Sequence, residues 1–429
     1  MESLRRSGSV PVYGTNGRCG SHDEALFKGP GVILGRKGQG PLGVEWSSDD
    51  YWVIDTAYSL MPRRSDVDLK YAYFLIKHIG LNHLKDGTSN PTLSRDSFGS
   101  QALPFPPLGV QHAIAHILGT LDDKIELNRQ MNETLETMAR ALFKSWFIDF
   151  DPVRRNAARA RNQPSPGLRP PSPSGRGAGG EGVSEALFHP LPLGEDQGEG
   201  VGAGEAYDHL FPDSFEDSEL GETPKGWEVG RFGDVVDQLR DQVNPGLSPD
   251  VLFRHFSIPA FDEGQTPKLE YGESIKSLKS RVPAGVVLLS KLNPELERVW
   301  LVDVGSTDRS VCSTEFLVLS AHPPFTRSFV YCLARSPFFR QQIESLVTGT
   351  SKSHQRAQVE AILNLPVVLP PSSIVAAFDR TSEGLLARTL ECRRESRTLV
   401  ALRDTLLPKL ISGELQIKDA ERFIEARVS

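Results

Sequence analysis

The chain has 429 residues, of which 24% are charged, and a formal net charge of −7. This length allows two or three domains, each with its own core. Four scattered cysteines without a Cys-x-x-Cys pair favour a reduced, cytoplasmic protein and argue against structural zinc or a disulfide framework. The sequence contains neither the ~20-residue apolar stretch of a transmembrane helix nor the apolar core of a signal peptide.

The first predicted domain covers residues 1–105 and mixes strand and helix. The apolar run within 29–40 is bounded by Gly and Pro, which predicts a buried strand ending in a basic turn. Residues 68–80 are apolar at helical spacing and predict a helix. A Gly-Thr-Ser turn begins at Gly87, and a double proline follows at 106–107.

A long helix is predicted next, over residues 106–150, because no Gly or Pro interrupts the run from 120 to 147. Its apolar residues recur every seven positions around one central polar residue, which is typical of a coiled-coil seam. At 1.5 Å per residue, a helix of about 35 residues is roughly 50 Å long. The seam positions are Ile114, Leu121, Asn128, Leu135 and Leu142.

A linker with a Gly- and Pro-rich insertion is predicted over 151–222. Residues 154–180 hold six Arg and no acid, and residues 181–222 hold twelve acids and no Lys or Arg. These two segments therefore carry six of the seven net negative charges, so the net charge does not exclude a nucleic-acid partner for the folded parts. Such a composition buries too little apolar surface to offset its ordering entropy, so we expect disorder over about 156–206.

The second half of the chain repeats the first. A second mixed domain is predicted at 223–368, with a buried strand in 282–294 and helical spacing over 328–346. Gly-Thr-Ser lies sixteen residues before Leu-Pro in both copies, and beyond the double prolines the offset is 264. A second long helix at 369–415 and a tail at 416–429 complete the chain. Its seam positions are Phe378, Leu385, Cys392, Leu399 and Leu406.

These elements predict an α+β fold in which two mixed α/β domains are each followed by a long helix, and the two helices pack together. If the helices are antiparallel and related by a pseudo-twofold axis, Asn128 lies close to Cys392, Ile114 approaches Leu406, and Leu142 approaches Phe378. The alternative is a pair of unrelated surface helices, each packed on its own domain.

Four stretches resemble the DNA-specificity subunit of type I restriction-modification systems. "LPFPPLGVQHAIAHILGTLDDKIELNRQMNETLETMARALFKSWFIDFDPV" (103–153) is similar to the central region of that family. "FPDSFEDSELGETPKGWEVGRFGDVV" (211–236) resembles the entry to a second target-recognition domain. "LRDTLLPKLISGEL" (402–415) resembles the C-terminal region, and "PVYGTNGRCGSHDEALFKGPGVILGRKG" (11–38) resembles one class of first recognition domain.

The resemblance implies a non-catalytic subunit with two mixed α/β target-recognition domains separated by two long antiparallel helices, in a pseudo-twofold internal repeat. Such a subunit binds a bipartite site in double-stranded DNA, and each recognition domain reads one half. The helix pair would set the gap between the halves. It also implies partners that supply the chemistry: two methyltransferase subunits and the restriction/translocase subunits. S-adenosylmethionine, ATP and Mg2+ are expected on those partners, and this chain is expected to bind no cofactor itself.

A search for catalytic motifs supports a non-enzyme. The Asn-Pro-Pro-Tyr type of methyltransferase motif is absent, since "NPTL" at 90–93 differs at its last two positions, and no Glu-x-Lys nuclease motif occurs. His112 and His116 have a zinc-compatible spacing, but no third ligand lies nearby, so exposed helix histidines are the expectation and no metal site is predicted.

DNA contacts are expected from basic and amide side chains in the loops, which bind phosphates and base edges. The alternative for each is an ordinary exposed polar side chain. The first-domain candidates are Tyr13, Asn16, Arg36, Lys37, Ser89 and Arg95; the second-domain candidates are Lys291, Asn293, Ser351, Lys352, His354 and Arg356.

One feature departs from the family pattern. The second repeat has about 120 residues ahead of its Gly-Thr-Ser, whereas the first has 86, so the first domain is expected to lack roughly thirty N-terminal residues. An inactive truncated remnant or a coiled-coil adaptor is therefore one alternative function. A self-contained DNA-modifying enzyme is another, and the absent motifs argue against it.

Overall fold

The computed structural model describes residues 8–162, 205–305, 309–346 and 355–420, together with residue 422. The chain divides into two compact units, which we call the first unit (residues 1–132 and 391–429) and the second unit (residues 133–390). Each unit mixes strands with helices, and the predicted α+β class is confirmed. No helix of the described part is long and apolar enough to cross a membrane.

The first unit is built on small sheets that pack against one helix. Its elements are β1 (Val10–Gly14), β2 (Gly17–His22), β3 (Gly31–Gly35), β4 (Val44–Ser47), β5 (Trp52–Val53), β6 (Ala57–Leu60), α1 (Leu69–Ile79), β7 (Lys85–Asp86), β8 (Thr92–Leu93), α2 (Arg95–Gly99) and the long α3 (Leu108–Phe147). Strand β3 lies between β4 and β6 and is buried along its whole length, as its unbroken apolar run predicts. Beside it, β1 pairs with β2 in a hairpin and with β5 in parallel.

The second unit is larger. After the last part of α3 its elements are α4 (Asp151–Asn162), β9 (Phe215–Ser218), β10 (Gly221–Pro224), β11 (Glu228–Arg231), α5 (Phe232–Val235), β12 (Val236–Leu239), β13 (Gln242–Val243), β14 (Leu252–Phe256), α6 (Ile258–Asp262), β15 (Lys268–Tyr271), β16 (Lys279–Arg281), β17 (Val287–Ser290), β18 (Val299–Leu301), β19 (Ser310–Cys312), β20 (Phe316–Ala321), α7 (Arg327–Ala334), α8 (Pro337–Ser345), α9 (Val359–Leu363), β21 (Pro366–Leu369) and the long α10 (Ser372–Ser412). The main sheets run β12-β20-β17-β18 and β13-β16-β19-β14-β15.

Helical spacing over 328–346 produces two helices, α7 and α8, rather than one. Ser336 is the N-cap of the second and accepts a hydrogen bond from Phe339 N, and Pro337 occupies the first helical turn. Proline fixes a conformation suited to a helix start and cannot continue a preceding helix, so the break falls there.

The internal repeat is confirmed in the two long helices. Helix α3 begins directly after Pro107 and α10 directly after Pro371, an offset of 264. In both copies the second proline carbonyl accepts the first turn's amide: Val110 N donates to Pro107 O (2.8 Å) and Ile374 N to Pro371 O (3.0 Å). The same double proline therefore starts the same helix twice.

Within the first unit, α3 and α10 pack together in antiparallel fashion. Four polar or sulfur contacts join them in opposite chain order: Asp122 with Arg403 (2.7 Å), Lys124 with Glu395 (3.4 Å), Asn128 with Glu395 (2.9 Å), and Met131 with Cys392 (3.4 Å). Ile114 and Leu406, a predicted pair, belong to one core cluster. The predicted pair Asn128 and Cys392 lies at the same level of the two helices. Asn128 contacts Glu395 and Cys392 contacts Met131, so each partner is three residues, about one helical turn, from the predicted one.

Within the second unit, the later part of α3 packs on the start of α10. The ring centroids of Phe143 and Phe378 lie 5.7 Å apart, and Leu142 packs against the same core. Of the ten predicted seam residues, Leu135, Leu142 and Leu385 are half-buried and the others are buried. The buried stripe passes instead through Ala139 and Phe143, because a straight helix of 3.6 residues per turn drifts from a strict seven-residue repeat.

The segment of predicted disorder, about 156–206, is too broad at both ends. Residues 156–162 belong to α4, and 205–210 form a 3-10 turn whose Asp208 is buried. Arg155 and Arg159 donate to the Asp208 carboxylate (2.6 and 2.9 Å), and Asn156 Nδ2 donates to Asp208 O (2.7 Å). This cluster, which sequence composition did not reveal, joins the chain on either side of the insertion. The remaining part of the predicted disorder, 163–204, lies outside the described residues.

We expect Asp208→Ala to lower the free energy of unfolding by about 2 kcal/mol at pH 7, because it removes charged hydrogen bonds from a buried site. Burial alone would raise the pKa of Asp208, but Arg155 and Arg159 outweigh burial and hold that pKa below its ordinary value. The stabilisation is thus present above the unfolded-state pKa, about 4, and is lost as the pH falls through the lower folded-state pKa.

Urea unfolding at several pH values, followed by tryptophan fluorescence, measures this loss. Trp146 is a suitable reporter because its ring lies 5.2 Å from that of Phe211 beside the cluster. Asp213→Ala, at an exposed acid of the same segment, is the matched control and should leave stability unchanged. If Asp208→Ala lowered the free energy of unfolding equally at pH 3 and pH 7, the effect could not be assigned to the charged carboxylate.

Candidate nucleic-acid interface

Three segments of the first unit meet in what we call the first loop cluster: the turn at 15–16, the loop at 36–43 and the segment 85–95. Backbone and side-chain hydrogen bonds join all three. They run from Thr15 Oγ1 to Lys37 O (2.8 Å), Gly43 N to Thr15 O (2.9 Å), Leu93 N to Arg36 O (2.8 Å), Gly38 N to Pro91 O (3.0 Å) and Gln39 Nε2 to Ser89 O (2.9 Å). The structure therefore brings five sequence candidates into one cluster: Asn16, Arg36, Lys37, Ser89 and Arg95.

Two guanidinium groups in this cluster share one aromatic ring. The Cζ atoms of Arg36 and Arg95 lie 5.1 and 5.4 Å from the centroid of Tyr58, whose hydroxyl donates to Leu93 O (3.2 Å). Among the described residues neither arginine has a carboxylate partner, and Arg36 Nε is buried without a hydrogen-bond partner. Stacking on a ring orients a guanidinium and leaves its donors available for phosphate or a guanine edge.

The other first-unit candidates differ in availability. Lys37 Nζ is paired with Asp55 Oδ2 (3.2 Å), and Ser89 is exposed in the Gly-Thr-Ser turn. Asn16 is exposed at the hairpin turn. Tyr13 lies apart from the loops, half-buried on β1 with its ring 6.2 Å from Tyr51, and serves packing in this structure.

The second unit builds the same arrangement, which we call the second loop cluster, from residues 291–293, 313–315 and 355–357. Here Ala357 N donates to Lys291 O (3.0 Å) and Asn293 N donates to Gln355 O (2.8 Å). They correspond to the bonds from Leu93 N to Arg36 O and from Gly38 N to Pro91 O in the first loop cluster. The offset is 264 residues for the segment with Pro91 and Leu93, and 255 for the segment with Arg36 and Gly38. The strands behind the loops also match, because β17 pairs with β18 and β20 as β3 pairs with β4 and β6.

The turn after the central strand has a left-handed residue in both clusters. Gly38 has φ of 131° and Asn293, its equivalent at an offset of 255, has φ of 47°. Glycine and asparagine are the residues that adopt positive φ most readily, so the turn itself selects them. Asn293 Oδ1 is buried and has no hydrogen-bond partner among the described residues.

Charge is distributed differently in the second loop cluster. Arg356 donates to both carboxylate oxygens of Glu315 (Nε to Oε2 3.0 Å, Nη2 to Oε1 2.8 Å). This pair keeps the pKa of Arg356 above its ordinary value, chiefly through the hydrogen bond. Lys291 has no carboxylate partner in the described ranges and is the available cation of the cluster. The candidates Ser351, Lys352 and His354 lie outside the described residues.

A buried arginine network holds the loop that follows Asn293, and sequence reasoning did not identify it. Arg335 donates to Glu297 on this loop (2.6 Å) and to Glu136 on α3 (2.5 Å). Burial acts to lower the pKa of Arg335, but Tyr331 and the two carboxylates outweigh it and raise that pKa, so the group stays charged. Arg340 donates to Pro294 O in the same loop. The recognition loop is therefore fixed from inside the second unit.

The histidine pair on α3 does not form a closed ligand set. His112 Nε2 lies 3.6 Å from Asp68 Oδ2, and both His112 and His116 are exposed. Over the described part of the chain, no group of three or more His, Cys, Asp or Glu side chains is arranged to hold a metal ion.

The chain is similar in sequence to specificity subunits of type I restriction enzymes. Residues 2–137 match the profile of the type I restriction modification DNA specificity domain. The type I restriction enzyme HindI specificity subunit of Haemophilus influenzae is 27% identical over 85% of this chain and 82% of its own length. The MjaIX specificity subunit of Methanocaldococcus jannaschii is 24% identical over 82% of this chain and 70% of its own length.

The fold of the chain is also similar to that of a solved specificity subunit. The crystal structure of the type I restriction-modification S subunit from M. genitalium superposes with a TM-score of 0.55, covering 96% of this chain and 91% of that one at 12% identity. At that identity the likeness concerns the fold alone. The resemblance predicted from the sequence is confirmed by the sequence comparisons: the chain is similar to the DNA-specificity subunits of type I restriction-modification systems.

Proposed function

We propose that this chain is the non-catalytic specificity subunit of a type I restriction-modification complex, and that each loop cluster reads one half of a bipartite DNA site. The observation that carries the proposal is the duplicated cluster: two loops held by matching hydrogen bonds behind matching strands. A repeated scaffold with different side chains at its tips is suited to reading two different half-sites with one geometry.

The first loop cluster would read DNA through Arg36 and Arg95. Both guanidiniums are oriented by Tyr58 and keep several N–H donors available. Arginine binds the O6 and N7 atoms of guanine with two parallel hydrogen bonds, and it binds phosphate equally well. In the second loop cluster Lys291 would take this position, while Arg356 neutralises Glu315, which would otherwise repel the DNA backbone.

The helix pair would set the number of base pairs between the half-sites. Helices α3 and α10 have 40 and 41 residues, which corresponds to about 60 Å each at 1.5 Å per residue. Half-sites on one face of the duplex are about 34 Å apart for one helical turn. A helix pair of this length can bridge that distance.

The catalytic steps would belong to partner subunits. Two methyltransferase subunits with S-adenosylmethionine, and restriction/translocase subunits with ATP and Mg2+, would act at the site to which this chain directs them. A specificity subunit needs no catalytic group of its own, because its contribution is the difference in affinity between target and other DNA.

If each cluster reads one half-site, variants of the two clusters should affect different halves. The double variant Arg36→Ala/Arg95→Ala should relax base discrimination in one half only, and Lys291→Ala in the other half only. Loss of a good base contact corresponds to about 1–3 kcal/mol, so affinity for the intact site should fall by roughly tenfold or more. The measurement is selection of binding sites from a randomised library by the complex with its methyltransferase partner.

The matched controls are Lys28→Ala in the first unit and Arg231→Ala in the second, two exposed basic residues outside the loop clusters. They should leave base discrimination unchanged in both halves. If both cluster variants relaxed the same half, or neither relaxed any, the loop clusters would not be the reading elements. A wild-type complex without sequence preference would contradict the proposed function altogether.

The role of the helices can be tested by changing their length in register. We expect insertion of seven residues after both Arg129 and Arg393, equivalent positions at the 264 offset, to lengthen the preferred spacer by about three base pairs. Seven residues add about 10.5 Å of helix, and base pairs are stacked every ~3.4 Å. Because a heptad is kept in both helices, the packed faces remain aligned.

Selection from a library with random spacers gives the preferred length directly. Deletion of one heptad from both helices is the opposite variant and should shorten the spacer by the same amount. An unchanged spacer in both variants, with the half-sites still recognised, would show that the helices do not set the distance.

A further inference from the structure

The second unit contains a basic cleft that the sequence did not indicate and that is separate from the loops described above. It has a volume of about 720 Å³ and lies where the ends of β12 and β16 meet the start of β19. Its charged lining consists of Arg240, Asp241, Arg281 and Arg309, a net charge of +2. Apolar side chains such as Phe253 and Val311 form the rest of the lining.

The donors in this cleft are only partly used. Arg281 Nε is paired with Asp241 (3.1 Å), and Arg240 lies 3.8 Å from Glu360, with both pairs well exposed. Among the described residues Arg309 has no carboxylate partner. Solvent-exposed pairs of this kind contribute little and exchange readily for a stronger ligand.

A second observation indicates that the cleft accepts a polar ligand. Ser310 also lines it and is 95% buried, yet its Oγ has no hydrogen-bond partner in the described structure. A buried hydroxyl without a partner is costly, and a ligand oxygen beside Arg309 would satisfy it. Guanidinium groups with a hydroxyl donor form a suitable set for a phosphate group.

The cleft is close enough to the second loop cluster to engage the same duplex. Strand β19 leads from Ser310 to Ser313, which is about 10 Å at 3.3 Å per residue, and Ser313 belongs to that cluster. Glu360, the partner of Arg240, lies on the helix that directly follows Arg356. Phosphates adjacent to a half-site read by the loops are therefore within reach.

The first unit differs at the same place. Strands β1 and β5 pair in parallel as β14 and β19 do. Gly35 pairs with Ala57 as its equivalent Ser290 pairs with Phe316, which gives an offset of 259 and makes Asp50 the equivalent of Arg309. The corresponding groove is lined by Asp49 and Asp50, and Asp50 accepts hydrogen bonds from Lys28 and from Gly29 N. Two carboxylates would repel a phosphate, so this groove is unsuited to the DNA backbone.

We propose that the cleft around Arg309 and Ser310 binds a phosphodiester group of the DNA backbone next to the half-site of the second unit, without contributing to base discrimination. The inference rests on the proposed function, since it assigns a backbone contact to the same complex. The two units would then contact DNA unequally, because the second unit has this phosphate-binding cleft and the first unit has Asp49 and Asp50 at the equivalent place. The shared chemistry is a phosphate group, which a small nucleotide could also supply.

The test compares wild type with Arg309→Ala, Arg309→Lys and Arg309→Asp in the complex with its methyltransferase partner. Affinity is measured against salt concentration, both for the selected target duplex and for a duplex without the target. We expect Arg309→Ala to weaken both by the same factor, roughly tenfold at low salt, and to reduce the slope of log K against log salt by about one. Arg309→Lys should retain the slope, and Arg309→Asp should weaken binding further.

Arg231→Ala is the matched control, because it removes an exposed arginine of the same unit outside the cleft. Unchanged affinity and slope in Arg309→Ala would overturn the proposal, and relaxed base preference would overturn it by making Arg309 a base reader. Thermal stabilisation by inorganic phosphate or a mononucleotide, without any effect of the variants on DNA binding, would assign the cleft to a small molecule instead. Target selection by the wild type tests the proposed function separately, since the slope on non-target duplex does not depend on sequence preference.

Discussion

Packing between segments that are distant in the chain is the constraint on which both units depend. The core of the first unit includes Leu118 and Leu121 from α3 together with Leu399 and Leu402 from α10, which are 281 residues further along the chain. The core of the second unit likewise combines Phe143 with Phe378 and with the recognition domain. Neither recognition domain has a complete core without both helices, so the domain and the helix pair form one cooperative structure in each unit.

This constraint explains which features the sequence could predict. Local sequence patterns predict the long helices, their start after a double proline and their offset of 264, because these features depend only on residues close together in the chain. The buried strand at β3 and the helix α1 were accessible for the same reason. Each of the two units includes part of both long helices. This division depends on contacts between residues far apart in the chain, and no local sequence pattern encodes such contacts.

The candidate site was predictable in part for a related reason. Basic residues next to turns are visible in the sequence, and Arg36 and Arg95 were found that way. Their common partner Tyr58 was not, because it comes from a strand that meets them only through sheet register. The sequence does not identify Glu315 either. This residue accepts hydrogen bonds from Arg356 and so leaves fewer Arg356 donors available for DNA. A single sequence gives residue types in loops, but availability depends on neighbours that folding supplies.

The polar contacts between the helices of the first unit show how register can be specified. Asn128 is fully buried and gives up one hydrogen bond, since its Oδ1 has no partner among the described residues, while its Nδ2 donates to Glu395. The other oxygen of Glu395 faces Lys124. A slip of one heptad in α10 would place Leu402 or Arg388 opposite Asn128 and separate Glu395 from both partners. An apolar residue at position 128 would remove the buried orphan oxygen, but it would also remove the difference between the correct register and the slipped one. Under the proposed function the length of the helix pair would set a spacing on DNA, and a fixed register would then offset the lower stability, because each slipped heptad corresponds to about 10 Å.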